Sequence, residues 1–200
     1  MNIELEKYEE ELKNFRFPRY EELPTIELYM DQVLEYTKEY FKIVALENGK
    51  ELITSSMINN YVKNGIIPAP NGKKYTRKNI AYIIAVFYLK QILTLDEVKE
   101  LIKNQIVNSD EKNAYRYFCE AVESEFANCC NHKYNEISND DNLNFVSYSL
   151  KYSARAIANK IYAQHIIQLQ RISESTKSVA DIKKKIEKQK KQEKQEKTKK

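Results

Sequence analysis

The sequence contains very few of the residues that interrupt regular secondary structure. Its 200 residues include 3 Gly, 4 Pro and no Trp. So few glycines leave little room for a phosphate-binding loop, and the sequence contains no P-loop, no dinucleotide-binding glycine motif and no nucleophile elbow. With turn-forming residues this rare, long helices are the expected structure. The composition therefore predicts an all-α fold and argues against a nucleotide-binding enzyme.

Histidine and cysteine are also scarce, at 2 and 3 residues. Cys119, Cys129, Cys130 and His132 lack the closely paired spacing that tetrahedral zinc sites use. Cys119 and Cys130 instead fall on one face of a predicted helix, as buried thiols do. Both histidines are far from residues 57–83, so the sequence offers no Ser–His or Cys–His arrangement. We expect no metal, no cofactor and no enzymatic activity.

Long apolar segments are missing as well. No apolar run approaches the length that crosses a bilayer, and the first residues, MNIELEKYEEELKN, are acidic and polar, unlike a signal peptide. The three cysteines do not form a disulfide framework. These features predict a cytoplasmic protein without a membrane partner.

Positive charge is concentrated in two places. The net charge is +4, but residues 50–90 carry +6 and residues 181–200 carry another +6, so the rest of the chain carries −8. Most of the turn-forming residues lie in the first of these segments, at Gly65, Pro68, Pro70 and Gly72. Four cations follow at once, at Lys73, Lys74, Arg77 and Lys78. Turns and positive charge therefore occur together on an otherwise acidic body.

Helical periodicity surrounds this segment. A helix is predicted from Thr25, between Pro24 and Gly49, with an apolar face that includes Ile26 and Phe41. A second helix is predicted to begin at Ser55 or Ser56 as its N-cap and to end at Gly65. Apolar residues recur here at helical spacing, at Ile53, Met57, Ile58, Tyr61 and Val62, and the last three are predicted to face the core.

The segment after Gly65 predicts a short reversal followed by more helices. Asn71-Gly72 predicts a minimal hairpin, and Thr76 is placed to cap RKNIAYIIAVFYLKQIL, a central buried helix. Thr94 and Glu97 form a capping box that opens another helix. Two amphipathic segments, 111–130 and 142–169, complete the helical part, and a Lys-rich segment ends the chain.

The central segment resembles the MerR-type winged helix. INNYVKNGIIPAP is similar to the Leu-Arg-Tyr-Tyr-Glu-x-x-Gly-Leu-Ile-x-Pro motif of those regulators, with Tyr61 and Gly65 on its second Tyr and its Gly. NGKKY resembles a shortened wing, and TLDEV at 94–98 resembles their Ser-Leu-Glu-Glu-Ile. Asn59 stands where those proteins carry a phosphate-gripping Arg. The resemblance implies a winged helix-turn-helix with a minimal wing, followed by an additional helical region.

Longer strings resemble an uncharacterised Firmicutes family, the YkrK-like domain of unknown function. They are LPTIELYMDQV at 23–33, MINNYVKNGIIPAPNGKKYTRKNIAY at 57–82 and LKQIL at 89–93, and the resemblance covers roughly 20–125. That family has no established activity. The resemblance implies the winged-helix fold and a regulator-like role.

The resulting domain organisation has four parts. Residues 1–23 are an N-terminal polar segment, 24–104 the MerR-like winged helix-turn-helix, 105–172 a helical dimerisation or sensing region, and 173–200 a Lys-rich flexible tail. MerR-type regulators work as dimers, so we expect a homodimer. The helical region also leaves room for a small-molecule effector.

The predicted function is DNA-binding transcription regulation. A recognition helix at about 55–63 would enter the major groove, and a basic wing at 68–78 would contact flanking phosphates. The predicted DNA-binding residues are Ser55, Ser56, Asn59, Asn60, Lys63, Asn64, Lys73, Lys74, Arg77 and Lys78. Asn can hydrogen-bond adenine through two atoms, and Lys neutralises phosphates. The alternative is a winged-helix adaptor that binds a protein through the same face and does not bind DNA.

Overall fold

The computed structural model describes residues 3–44, 52–131 and 145–197, and these residues are mostly helical, which confirms the all-α prediction. Short 3-10 turns lie at Tyr20–Glu22 and Lys42–Val44. The helices and strands, in chain order, are α1 (Ile3–Lys13), β1 (Leu28–Tyr29), α2 (Met30–Phe41), α3 (Ser55–Lys63), β2 (Lys74–Tyr75), α4 (Arg77–Leu89), α5 (Leu95–Asn108), α6 (Glu111–Cys130) and α7 (Phe145–Lys197).

The chain divides into two units. Met1–Tyr162 is the larger one and contains the hydrophobic core. Ala163–Lys200 is the smaller one, and its described backbone is helical. None of the helices in the described ranges combines the length and the apolar character that a bilayer span requires.

α4 is the centre of the core, as its sequence predicts. Nearly all of its residues from Asn79 onward are buried, and the helix packs against α2 and α6. Phe87 stacks on Phe41 of α2 with ring centroids 3.7 Å apart. Because full burial of a large apolar side chain contributes about 1.5–3 kcal/mol, this helix supplies much of the driving force for folding.

The predicted start of α2 is wrong. The helix begins at Met30 rather than Thr25, because Leu28 and Tyr29 are extended and pair with β2. Ile26, predicted on the apolar helix face, is 71% exposed. Backbone hydrogen bonds to a distant strand have replaced those of a first helical turn. The predicted end at Gly49 lies outside the described residues.

The N-terminal polar segment contains a helix that contributes to the core. α1 packs on α6 and buries Tyr8 and Leu12. Phe17, which follows α1, is fully buried and meets the Tyr88 ring edge-on, with centroids 4.9 Å apart. A few buried apolar residues therefore anchor this acidic segment to the core.

The C-terminal helices follow their predicted starts closely. The capping box of α5 is confirmed: Glu97 N donates to Thr94 Oγ1, and Thr94 N donates to a Glu97 carboxylate oxygen at 2.7 Å. That backbone hydrogen bond lowers the pKa of Glu97. α6 coincides with the predicted segment, and α7 continues well beyond the predicted 169. Residues 132–144, between α6 and α7, lie outside the described residues.

Candidate nucleic-acid interface

α3 is held by well-formed caps at both ends. Its N-cap is Thr54, whose hydroxyl accepts from Met57 N at 3.2 Å, so the prediction of Ser55 or Ser56 as the cap is wrong by one residue. At the other end Gly65 has φ of +64° and Ile66 N donates to Tyr61 O at 2.9 Å. This pattern is a Schellman motif, which needs a left-handed residue at the glycine position. The predicted stop at Gly65 is confirmed.

The two faces of α3 separate as predicted. Ile58 and Tyr61 are buried, with 0% and 1% of their surface exposed, and they attach the helix to the core. The opposite face is exposed and consists of Ser55, Ser56, Asn59, Asn60, Lys63 and Asn64. The structure therefore brings six of the predicted DNA-binding residues onto one exposed surface, which we call the α3 face.

The C-terminal end of the α3 face is ordered by internal hydrogen bonds. Asn64 Nδ2 donates to the Asn60 carbonyl at 2.8 Å and to Asn60 Oδ1 at 3.0 Å. Lys99 Nζ donates to the Asn64 carbonyl at 2.9 Å. Asn59 and Lys63 make no side-chain hydrogen bond or ion pair with other described residues. These two are thus the more available groups for an external partner.

The segment predicted as the wing, residues 68–78, contains a tight turn followed by a two-stranded antiparallel pairing, and we call this segment the wing. Asn71 and Lys74 exchange backbone hydrogen bonds of 2.9 and 3.0 Å around Gly72, whose φ is +60°. β2 then pairs antiparallel with β1, so that Leu28 opposes Tyr75 on the buried side and Tyr29 opposes Lys74 on the exposed side.

The exposed side of the wing mixes charge and apolar surface. Lys73 and Lys74 are exposed, and Lys74 Nζ lies 5.5 Å from the centroid of the Tyr29 ring. Asn71 Nδ2 donates to Glu27 Oε1 at 3.2 Å. β1 was not predicted, because a two-residue strand is too short to show alternation.

The base of the wing is fixed by a buried asparagine that the sequence analysis missed. Asn79 is 2% exposed, and its Nδ2 donates to the Pro68 carbonyl at 2.8 Å. Its Oδ1 accepts from Thr76 N at 2.9 Å, and Thr76 caps α4 as predicted. One side chain therefore joins the loop at Pro68 to the start of α4. A Thr-x-x-Asn pattern after the hairpin is the signal that could have identified it.

Arg77 and Lys78 do not join the exposed basic surface. Arg77 Nε donates to the Leu23 carbonyl at 3.2 Å, and its guanidinium carbon lies 5.8 Å from the Tyr20 ring centroid. Lys78 Nζ forms an ion pair with Glu111. Both side chains are half-buried. Internal partners therefore engage both charged ends, and the phosphate contacts of these two residues stay a prediction.

Two other lysines contact residues of α3 or its C-cap and were not predicted. Lys99 contacts the C-terminal end of α3, as described above, and Lys90 Nζ lies 5.0 Å above the Tyr61 ring. Both side chains are exposed. Lys63, Lys90 and Lys99 thus surround the end of α3, while Lys73 and Lys74 occupy the wing. Sequence reasoning missed Lys90 and Lys99 because only tertiary packing brings them near α3.

The cysteines of α6 are structural side chains of the core. Cys119, Cys129 and Cys130 are buried, and burial is the main reason that the pKa values of Cys119 and Cys130 rise to about 12. A thiol with so high a pKa is almost entirely protonated at neutral pH, so it is a poor nucleophile. His132, the fourth member of the cluster considered above, lies outside the described residues.

The chain matches a known family. The family model described as "Domain of unknown function (DUF1836)" matches residues 18–120, which is just over half of the chain. This range contains the α3 face, the wing and α4. No protein of curated function matches the chain, and no solved structure matches it.

Proposed function

The chain belongs to the DUF1836 family, and from that premise we propose that it is a DNA-binding transcription regulator with a MerR-like winged helix-turn-helix. In this proposal α3 enters the major groove and the wing contacts flanking phosphates. The strings at 57–82 that resemble MerR-type and YkrK-like proteins support the assignment. The observation that carries it is the α3 face: six polar residues exposed on a helix whose opposite side is anchored in the core.

The charge arrangement supports the same proposal. Exposed lysines lie on the wing, at Lys73 and Lys74, and at the C-terminal end of α3, at Lys63 and Lys99. The remainder of the chain outside the two basic segments is acidic. Phosphate neutralisation supplies most of the affinity of DNA-binding proteins, and a basic surface on an acidic body directs the nucleic acid to one place.

The test is fluorescence anisotropy with the full chain. The DNA is a fragment from upstream of the protein's own gene, compared with a scrambled fragment over a series of salt concentrations. Each phosphate contact contributes roughly −0.9 to the log–log salt slope. We expect a steep slope and tighter binding to the upstream fragment.

Charge-matched variants test whether the wing, rather than the Lys-rich tail, supplies the preference for the upstream fragment. The double change Lys73→Glu and Lys74→Glu should abolish the preference for the upstream fragment. The control, Lys7→Glu with Lys13→Glu, makes the same charge change at exposed positions of α1 and should retain it. Equal binding by both variants, or no binding at low salt by the unchanged protein, would reject DNA recognition.

The second candidate is a protein-binding adaptor on the same scaffold. It is favoured by the apolar surface beside the wing, where Ile26 is 71% exposed and Tyr29 is 49% exposed. A protein partner would bury these side chains, whereas a phosphate backbone would not. Binding that is insensitive to DNA sequence but lost on changing Ile26 to Lys would favour the adaptor.

A further inference from the structure

A groove between α5 and the first turns of α7 lies within the larger unit. It holds about 280 Å³, and its lining consists of two glutamates, an asparagine, two serines and two leucines. No lysine, arginine or histidine of the described residues belongs to this lining. The volume is close to the lower end of the range for small-molecule pockets. Size and polarity therefore suit a small ligand that offers hydrogen-bond donors.

The two glutamates, Glu97 and Glu100, are exposed and supply negative charge from one side of α5. Both hydrogen bonds from Thr94 to the Glu97 carboxylate end on its Oε2 atom, so Oε1 has no partner among the described residues. Glu100 makes no side-chain hydrogen bond or ion pair with those residues, and the neighbouring Lys99 is bonded to the Asn64 carbonyl. The groove therefore presents two carboxylates that no cation of the described residues pairs with.

A buried hydroxyl lines the same groove from α7. Ser153 is only 7% exposed, and its side chain forms no hydrogen bond with another described residue. A buried hydroxyl without a partner costs free energy, which a ligand recovers by hydrogen-bonding to it. Ser153 thus adds a third acceptor to the two carboxylates.

These donors and acceptors fit an organic cation better than a metal ion. Among the described residues the two glutamates have no third Asp, Glu, His or Cys beside them to complete a metal site. A primary ammonium group instead carries three N–H donors on one atom, which matches two carboxylates and one hydroxyl. Leu93 and Leu101 belong to the same lining and offer apolar surface to an attached carbon chain.

We propose that this groove binds a small primary amine with a short apolar body. The ammonium group pairs with Glu97 and Glu100 and donates to the Ser153 hydroxyl, and the apolar body packs on Leu93 and Leu101. The site is independent of DNA binding, so its own measurement decides it.

The test is calorimetric titration of the full chain at pH 7 with 2-phenylethylammonium chloride. The comparison is 2-phenylethanol, an uncharged compound of nearly the same shape. We expect saturable binding of the amine and weaker binding of the alcohol. Added salt should weaken binding of the amine alone, because salt screens exposed charges. Absence of saturable binding up to millimolar amine, or an alcohol that binds as tightly, would overturn the proposal.

Charge variants of α5 test the ammonium site. Glu100→Gln should weaken binding of the amine roughly two- to fivefold, the contribution of one exposed ion pair, and leave binding of the alcohol unchanged. Glu97→Gln should act similarly, because glutamine keeps the capping box intact. Asp96→Asn, at an exposed position of the same helix outside the lining, is the matched control and should bind as the unchanged protein does. An equal loss in Asp96→Asn would overturn the proposal, because it would indicate general attraction to an acidic helix.

Variants of α7 test the location. Ser153→Ala should weaken binding of the amine more than binding of the alcohol. Ser149→Leu, at an exposed position of the lining, should block the groove and abolish binding of both compounds, whereas Ala156→Leu, at an exposed position outside the lining, should leave it unchanged. Circular dichroism would verify that each variant is folded. A folded Ser149→Leu variant that binds the amine as tightly as the unchanged protein would place the ligand elsewhere and overturn the proposal.

Discussion

Arg19 forms a two-bonded ion pair with Glu123, and this pair joins the N-terminal segment to α6. Arg19 Nη1 and Nη2 donate to the two carboxylate oxygens at 2.9 and 2.8 Å. Glu123 also accepts from the backbone N of Phe17 at 2.8 Å. One carboxylate therefore satisfies three donors and sets the position at which the buried Phe17 enters the core.

Removal of this pair should destabilise the fold. Arg19→Ala leaves Glu123 without its two charged donors, and we expect a loss of about 1–2 kcal/mol in the free energy of unfolding, measured in urea at pH 7. Arg116→Ala is the matched control, because Arg116 pairs with Glu120 on the exposed surface of the same helix. An equal loss in both variants would contradict the structural role of Glu123.

At the C-terminus of α3, substitution of Gly65 should lower the stability of the protein most. Its φ of +64° is costly for residues with a side chain, whereas a methyl group would meet only the Lys99 side chain at an ordinary 3.5 Å. Gly65→Ala should therefore lower stability by about 1 kcal/mol through backbone strain alone, and Gly65→Asn by less. Thermal unfolding measures both. An alanine variant as stable as the unchanged protein would show that the Schellman motif is absent.

The protein should lose stability as the pH falls, because Glu22 becomes protonated. Its carboxylate accepts from the Arg16 guanidinium and from Arg19 N, and these bonds lower its pKa from 4.5 to about 2. Because the folded-state pKa is depressed, the contribution is fully present above pH 4.5 and disappears as pH falls towards 2. Glu22→Gln should therefore be less stable than the unchanged protein at pH 7 and equally stable below about pH 2.

Urea titrations at several pH values would show this convergence. Glu6→Gln, at an exposed position of α1, is the comparison and should follow the unchanged protein at every pH. A constant difference between Glu22→Gln and the unchanged protein from pH 7 to pH 2 would show that Glu22 acts by other means.

Asn59 and Lys73 should differ in how they affect DNA binding. Asn59→Ala should reduce the preference for the upstream fragment by roughly 5- to 150-fold, since a two-bonded base contact is worth about 1–3 kcal/mol, and leave the salt slope unchanged. Lys73→Ala should weaken binding to all sequences and reduce the slope by roughly one contact. If Asn59→Ala weakens every sequence equally, α3 does not read bases.

Self-association should depend on the apolar residues of the smaller unit. Ile166, Ile167 and Ile172 of α7 are 37%, 49% and 39% exposed. We expect light scattering to give about twice the single-chain mass of 23.7 kDa at micromolar concentration. The double change Ile167→Lys and Ile172→Lys should halve that mass. Val107→Lys, at a 76% exposed position of α5, should not. A single-chain mass for the unchanged protein would reject the homodimer.

Local signals in the sequence identified most helix boundaries. Thr76, Thr94 and Gly65 cap the helix ends that the sequence predicts for them, because a cap involves only the backbone of neighbouring residues. The all-round apolar character of α4 likewise indicated its burial before any packing was known. The exposed α3 face was predictable for the same reason, since helical periodicity alone separates its two sides.

Those local signals could not predict pairing between distant segments. Leu28 and Tyr29 form a strand because they pair with Tyr75 and Lys74, which are 47 and 45 positions away, and nothing local distinguishes them from a first helical turn. Arg77 and Lys78 were predicted as phosphate contacts from charge alone. In the structure, Arg77 donates to the Leu23 carbonyl and Lys78 forms an ion pair with Glu111. No pattern in the sequence connects these partners.

By itself, the sequence determined the helical class, the caps, the buried α4 and the polar α3 face, because each depends on interactions within a few residues. Tertiary structure alone decided which cations remain exposed and that β1 pairs with the wing. Those outcomes depend on which distant surfaces meet, and they follow from packing the whole chain rather than from any segment of it.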